Sequence, residues 1–177
     1  MPRSDIDLNP VHHITSDAIG QPGKRVFYLQ GWREADIQPV TIIIEKVQLQ
    51  TLASGLVEML AEIARQTPAL AEPDTEYDAD KMRISPPVDP LFRAGEMGLG
   101  YDAEQDLIVI LVREIVIEDA DPEQASVVRF WCTRQQAAWL AAWSSEVVQH
   151  GRPICPQCGQ PMEPEGHFCP KKNGHKH

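Results

Sequence analysis

The chain has 177 residues, 16 basic and 26 acidic, with a formal charge of −10, and is 42 % hydrophobic and 24 % charged. That suits one soluble globular domain with a short appendage and argues against a broad polyanion binder. No apolar run approaches the roughly 18 residues of a membrane span, and Met1-Pro2-Arg3-Ser4-Asp5 opens no apolar signal core, so the cytoplasm is the expected compartment.

In chain order, residues 14–19 and 25–30 read as two strands around the turn Gln21-Pro22-Gly23-Lys24. A third strand is predicted at Val40-Thr41-Ile42-Ile43-Ile44-Glu45, where β-branched residues run too briefly for a helix. A helix follows from Lys46 to about Arg65. Leu49, Leu52, Leu56, Met59, Leu60 and Ile63 recur there at three- and four-residue steps, the mark of one apolar face. From Thr67 to Pro90 that period is lost. Five prolines and the acidic residues Glu72, Asp74, Glu76, Asp78 and Asp80 make this a crossing loop between two halves.

The second half begins with a strand over residues 92–101, a turn at Asp102-Ala103-Glu104-Gln105, and a strand over residues 106–112. Ser126 to Cys132 is strand-like, and a helix continues from Thr133, a suitable N-cap, to about Gln149. The pattern stops at His150-Gly151-Arg152-Pro153.

Laid side by side, the halves match. Each reads strand–strand–strand–helix, displaced by about 80 to 87 positions. One such unit leaves its edges and part of its apolar face open, whereas two cover each other. The expected fold is therefore α+β: two repeats forming antiparallel sheet packed on two helices, with pseudo-two-fold symmetry. The body spans residues 1–150, with halves at about 10–66 and 90–150 and the crossing at 67–90. Residues 151–177 form a separate tail. The tail has a net charge of +2 against −12 for the body.

The tail carries the most specific chemistry. Cys155-Pro156-Gln157-Cys158-Gly159 presents two thiols from one tight turn, and Cys169 adds a third. A structural zinc site takes four thiolate or imidazole ligands. Two histidines compete for the fourth place. His167 leaves an extended segment on the same face as Cys169, while His175 lies six residues beyond it. Pro153, Pro156, Pro161 and Pro164 disfavour the helix that a redox Cys-x-x-Cys pair opens. With four protein ligands the site has no place for a catalytic water, so Zn2+ is expected as a structural ion. Cys132, alone on a strand, reads as a small buried hydrophobe. His12 and His13 are adjacent, point to opposite faces of an extended segment and chelate poorly, so surface or turn positions are expected for them.

No Walker loop, nucleophile elbow or His-Glu-x-x-His helix occurs. The sequence therefore favours a non-catalytic adaptor that docks a protein partner. The alternative is an enzyme or small-ligand binder, phosphate esters included, with its site between the repeats. Its candidate residues are Arg25, Tyr28, Gln30, Glu45, Lys46 and Gln48 in one half and Arg93, Glu96 and Asp102 in the other. Each has an ordinary solvated or paired role to compete with, and Glu45 and Lys46 suit a helix start. Nucleic-acid binding by the tail, through Lys171, Lys172, Lys176 and Phe168, is disfavoured by so small a positive charge beside an acidic body.

Several segments resemble the bacterial "domain of unknown function 3090" family. They are Gly20-Gln21-Pro22-Gly23 with residues 25–30, Glu45-Lys46-Val47-Gln48, residues 92–102, and the tail segments 151–159 and Gly166-His167-Phe168-Cys169-Pro170. The resemblance spans nearly the whole chain. It implies His167 as the fourth zinc ligand, because the family pattern has a histidine there and often an aromatic residue at the position of His175. It implies no established reaction. Family members are often encoded near a histidine-phosphatase-like and a kinase-like protein, which implies such a protein as partner.

Overall fold

The β-branched runs form the strands, and each places alternate residues on one buried face. β1 (Asp5–Leu8) and β2 (His13–Ile19) open the chain, followed by β3 (Val26–Trp32) and β4 (Val40–Ile44). Helix α1 (Lys46–Gln66) comes next, and a crossing segment then leads to β5 (Pro90–Asp102) and β6 (Leu107–Glu114). The chain ends its regular structure with β7 (Val127–Cys132) and α2 (Arg134–Gln149). The computed structural model describes residues 3–150 together with Gln157 and Cys169. The protein is thus α+β, with three strands and a helix in each of the spans expected. The zinc ligands Cys155, Cys158 and His167, and the competing His175, lie outside the described residues.

All seven strands join one sheet in the order β1-β7-β6-β5-β4-β3-β2. Its character differs from the antiparallel expectation. β4–β5 and β1–β7 are parallel pairs, because a helix and a long crossing return the chain to the end of the sheet from which β4 began. β1 is also new. It comprises Asp5-Ile6-Asp7-Leu8, with too little apolar content to read as a strand, and it is held by its partner strand.

The strand order forces curvature. Six neighbour steps of about 4.8 Å would set β1 and β2 nearly 30 Å apart in a flat sheet. The five steps from Leu8 to His13 reach at most about 18 Å. The sheet therefore curls until residues 9–12 can span from one edge strand to the other. Val11 N–H donates to the Trp131 carbonyl of β7 at 2.8 Å, and His12 N–H to the Trp32 carbonyl of β3 at 2.7 Å. Leu8, Leu29, Ile42, Ile44, Ile108, Ile110, Val112 and Phe130 fill the interior and are fully or almost fully buried.

The two helices pack on each other, and α2 lies against β2. Trp143 Nε1–H donates to the Ser16 carbonyl at 2.5 Å, and the Ser16 and Ser144 hydroxyls are 2.8 Å apart. The crossing is strapped rather than loose. Gln30 holds both main-chain groups of Ser85, at 2.8 and 2.9 Å. Gln135 does the same for Asp74, and Thr15 donates to the Met82 carbonyl.

Candidate functional site

The helix starts position the polar residues at the seams. In α2, Thr133 Oγ1 accepts from Gln136 N–H at 3.0 Å, while Gln136 Oε1 accepts from Thr133 N–H at 2.9 Å. This capping box satisfies amides that the first turn would leave unpaired. The amide end of Gln136 continues outward, donating to the Val11 and His12 carbonyls at 3.3 and 3.1 Å. At α1, Gln48 Oε1 accepts from Glu45 N–H at 2.7 Å. Gln48 Nε2 donates to the Ala94 and Gly95 carbonyls, at 3.2 and 2.9 Å, where β5 shifts register. α1 thus grips β5 at its register shift, and α2 grips the link between β1 and β2.

Of the candidates read from sequence, the structure brings together Glu45, Gln48 and Arg93. Arg93 donates to the Glu45 carboxylate at 2.6 Å across the β4–β5 seam. Beside them a cleft of ≈ 440 Å³ opens between the first turns of α1 and β5, lined by Val47, Gln48, Thr51, Gly95, Met97 and Gly98. Its wall is largely apolar. Gln30 is fully buried and spent on Thr41 and Ser85. Asp102 closes its own turn by accepting from the Glu104 and Gln105 amides. Glu96 lies 3.8 Å from Arg113 at the surface, Lys46 is exposed, and Tyr28 is half-buried on β3. Arg25 keeps a buried Nε with no hydrogen-bond partner.

A second cleft, of ≈ 380 Å³, occupies the corresponding place at the other seam. It lies between α2 and the start of β2, under the turn at residues 77–82, and His12, His13, Tyr77, Lys81, Gln136 and Trp139 line it. The sequence pointed to His12 and His13 only as surface or turn residues. His12 is exposed, but His13 is half-buried against the Trp32 ring, with centroids 4.9 Å apart. Burial, with His12 beside it, holds the His13 imidazole below its ordinary range, and a hydrogen bond to the Lys81 backbone opposes that shift. The only sequence signal was an aromatic spaced one helical turn from Gln136, which is too common to single out.

A third hollow runs between the helices. Ala61, Ala64, Ala138 and Ala142 are among its lining, with Val57, Leu60, Leu70 and Glu72, and its volume is ≈ 440 Å³. At its end Arg134 donates twice to Asp106, at 2.8 and 3.0 Å, and once to the Ala71 carbonyl. Those bonds hold the Asp106 carboxyl below the usual range although burial opposes them, and Tyr101 O–H adds a further hydrogen bond.

Over residues 6–169 the sequence matches the family described as "Protein of unknown function (DUF3090)". The chain belongs to the DUF3090 family. The DUF3090 match takes in most of β1, every later strand, both helices and the tail as far as Cys169. No match is found among curated proteins or among solved structures.

In this DUF3090 chain Cys132 is fully buried, and burial pushes its thiol up to about 12. It behaves as the small hydrophobe expected, since a nucleophile needs its thiolate. Cys169 is also fully buried. Among the described residues no group of three or more His, Cys, Asp or Glu side chains is placed to hold a metal ion. No helix among them is long and apolar enough to cross a membrane.

Proposed function

We propose that this protein is a non-catalytic binding module whose α+β body docks a protein partner and whose tail is folded by a structural zinc ion. The observation that carries the reading is the interhelical groove. Its alanine floor lets another chain approach closely, its apolar wall includes Val57, which is 58 % exposed, and Glu72 stands in its rim. Asp74 and Glu76 adjoin its lining residues Pro73 and Thr75 on the crossing, and Arg134, which also lines it, is paired with Asp106. The occupant that fits is an amphipathic segment with basic flanks, laid into the groove by its apolar face. A phosphatase-like or kinase-like protein is the partner to test first.

The zinc reading rests on donor chemistry: three thiols, Cys155, Cys158 and Cys169, with the His167 imidazole. The burial of Cys169 supports it, because a structural knuckle encloses its ligands. The purified protein should contain one zinc per chain, and Cys155→Ser and Cys158→Ser should lower that content sharply. Well under one zinc in the parent overturns the metal assignment. For docking, Val57→Lys and Ala61→Lys should abolish binding to the co-expressed phosphatase-like or kinase-like protein while leaving the melting temperature unchanged. Retained binding in both variants rejects the groove.

A second reading, a small-ligand site between the two halves, is favoured by the two clefts beside Gln48 and Gln136. The body as a duplicated unit accompanies it. That relationship is supported by the 88-residue offset between the two glutamines, both at the third position of a helix, and by their matching grip on main-chain carbonyls.

A further inference from the structure

The two clefts beside the helix starts match in their lining. Gln48 and Thr51 of α1 hold the places that Gln136 and Trp139 hold in α2, each 88 residues on. Residues 95–99 of β5 likewise stand where His12, His13 and Ile14 stand at the start of β2. They differ on one side. The cleft at α2 has a further wall, Tyr77, Asp78, Lys81 and Met82, from the crossing that leaves α1. Among the described residues the cleft at α1 has no such wall, and Val47 and Thr51 on its rim are exposed.

The helices show which segment is placed to supply it. Arg134, the first residue of α2, donates to the Ala71 carbonyl, five residues past the end of α1. α1 therefore ends where α2 begins, and the two packed helices run antiparallel. At about 1.5 Å per residue α2 is about 24 Å long and α1 about 32 Å. So α2 ends beside the first turns of α1, near Thr51, Leu52 and Gly55 of the cleft. The crossing reaches its own cleft 11 to 16 residues past α1. Past His150 the chain has 27 residues, and Cys169, 19 residues on, is fully buried.

We propose that the tail, residues 151–177, docks on the body over the cleft between α1 and β5, as the crossing does at α2. Val47, Leu52, Met97 and Leu99 make the cleft apolar, and Ile154, Met162 and Phe168 are the large apolar side chains that the tail can offer it. Charge favours the same pairing, since the tail carries +2 and the body −12. A second copy would bring another acidic body to this face and be repelled. The inference goes beyond both functional readings, because it places the tail whether or not a zinc ion folds it. It uses the duplicated reading of the body for the match between clefts, but not for the position of α2's end.

The test is proton–proton cross-relaxation in the full-length protein with labelled methyl groups. The methyls of Val47, Met97 and Leu99 should show cross-peaks to protons of residues 151–177. Contact between Leu99 and Gly55, within the body, serves as the internal control. Val47→Lys with Thr51→Lys, two exposed positions, puts positive charge against a basic tail. It should abolish the cross-peaks from Met97 and Leu99 to the tail and leave the control peak in place. Absence of tail cross-peaks in the parent overturns the proposal, and so does their persistence in the double variant. Cross-peaks found only between separately labelled chains in a mixed sample assign the cleft to a second copy and overturn it as well.

Discussion

His13 shows how one side chain sets a pH dependence. Burial, then His12, holds its imidazole below the ordinary value of 6.5 in the folded protein. The unfolded chain therefore binds the proton first as acid is added. Stability from this residue is complete above about pH 6.5 and falls as the pH drops through the lowered folded value. Urea titrations from pH 7.5 to 5 should show the unfolding midpoint falling across that window. His13→Gln should flatten the decline, since the amide does not titrate. Equal slopes in parent and variant would show that the imidazole titrates alike in both states. The same residue marks a limit of sequence reading. His12-His13 was visible as a pair, but only tertiary packing, the Trp32 ring among it, makes His13 half-buried.

At the scale of elements, the two N-terminal glutamines link each helix to the opposite half. Gln48→Ala removes one cap bond and two bonds to Ala94 and Gly95. Gln136→Ala removes the equivalent set at Val11 and His12. Each should cost about 1–2 kcal/mol, as for buried or half-buried hydrogen bonds whose partners are left unpaired. The two sites share no partner, so the double variant should cost the sum within about 0.5 kcal/mol. Thermal or urea unfolding of the three variants decides it, and a change below about 0.3 kcal/mol in either single variant removes the glutamine from the seam's support. The helices and strands β2 to β7 were legible because period and β-branched content are local signals. β1 was not. Arg129 reaches Asp5 at 2.8 Å and Trp131 reaches Asp7 at 3.0 Å, so its aspartates look solvated in sequence and are paired in the fold. Gln30 and Asp102 were candidates by residue type, yet a buried strap and a turn account for them.

For the whole molecule, the decisive feature is the curl that lets a short link join the two edge strands, which no local pattern encodes. Parallel pairing joins Asp5 to Val127 and Leu8 to Phe130, contacts more than 120 residues apart. The closure leaves little room inside. A Cβ added to Gly31 on β3 would lie 2.9 Å from the Phe130 ring of β7, and that ring is fully buried with nowhere to retreat. Gly31 has a negative φ, so alanine brings no backbone strain and the effect isolates the steric contact. Gly31→Ala should therefore destabilise by about 1–3 kcal/mol, the usual cost of overpacking. Phe130→Leu alone should also destabilise, through the cavity it leaves. Combined, the pair should cost at least 1 kcal/mol less than the sum, because the shorter side chain frees the space that the new methyl needs. Unfolding curves of the parent, both single variants and the double variant measure this coupling. Simple additivity would mean that β3 and β7 do not press together across the interior, and the closed arrangement of the sheet would have to be abandoned.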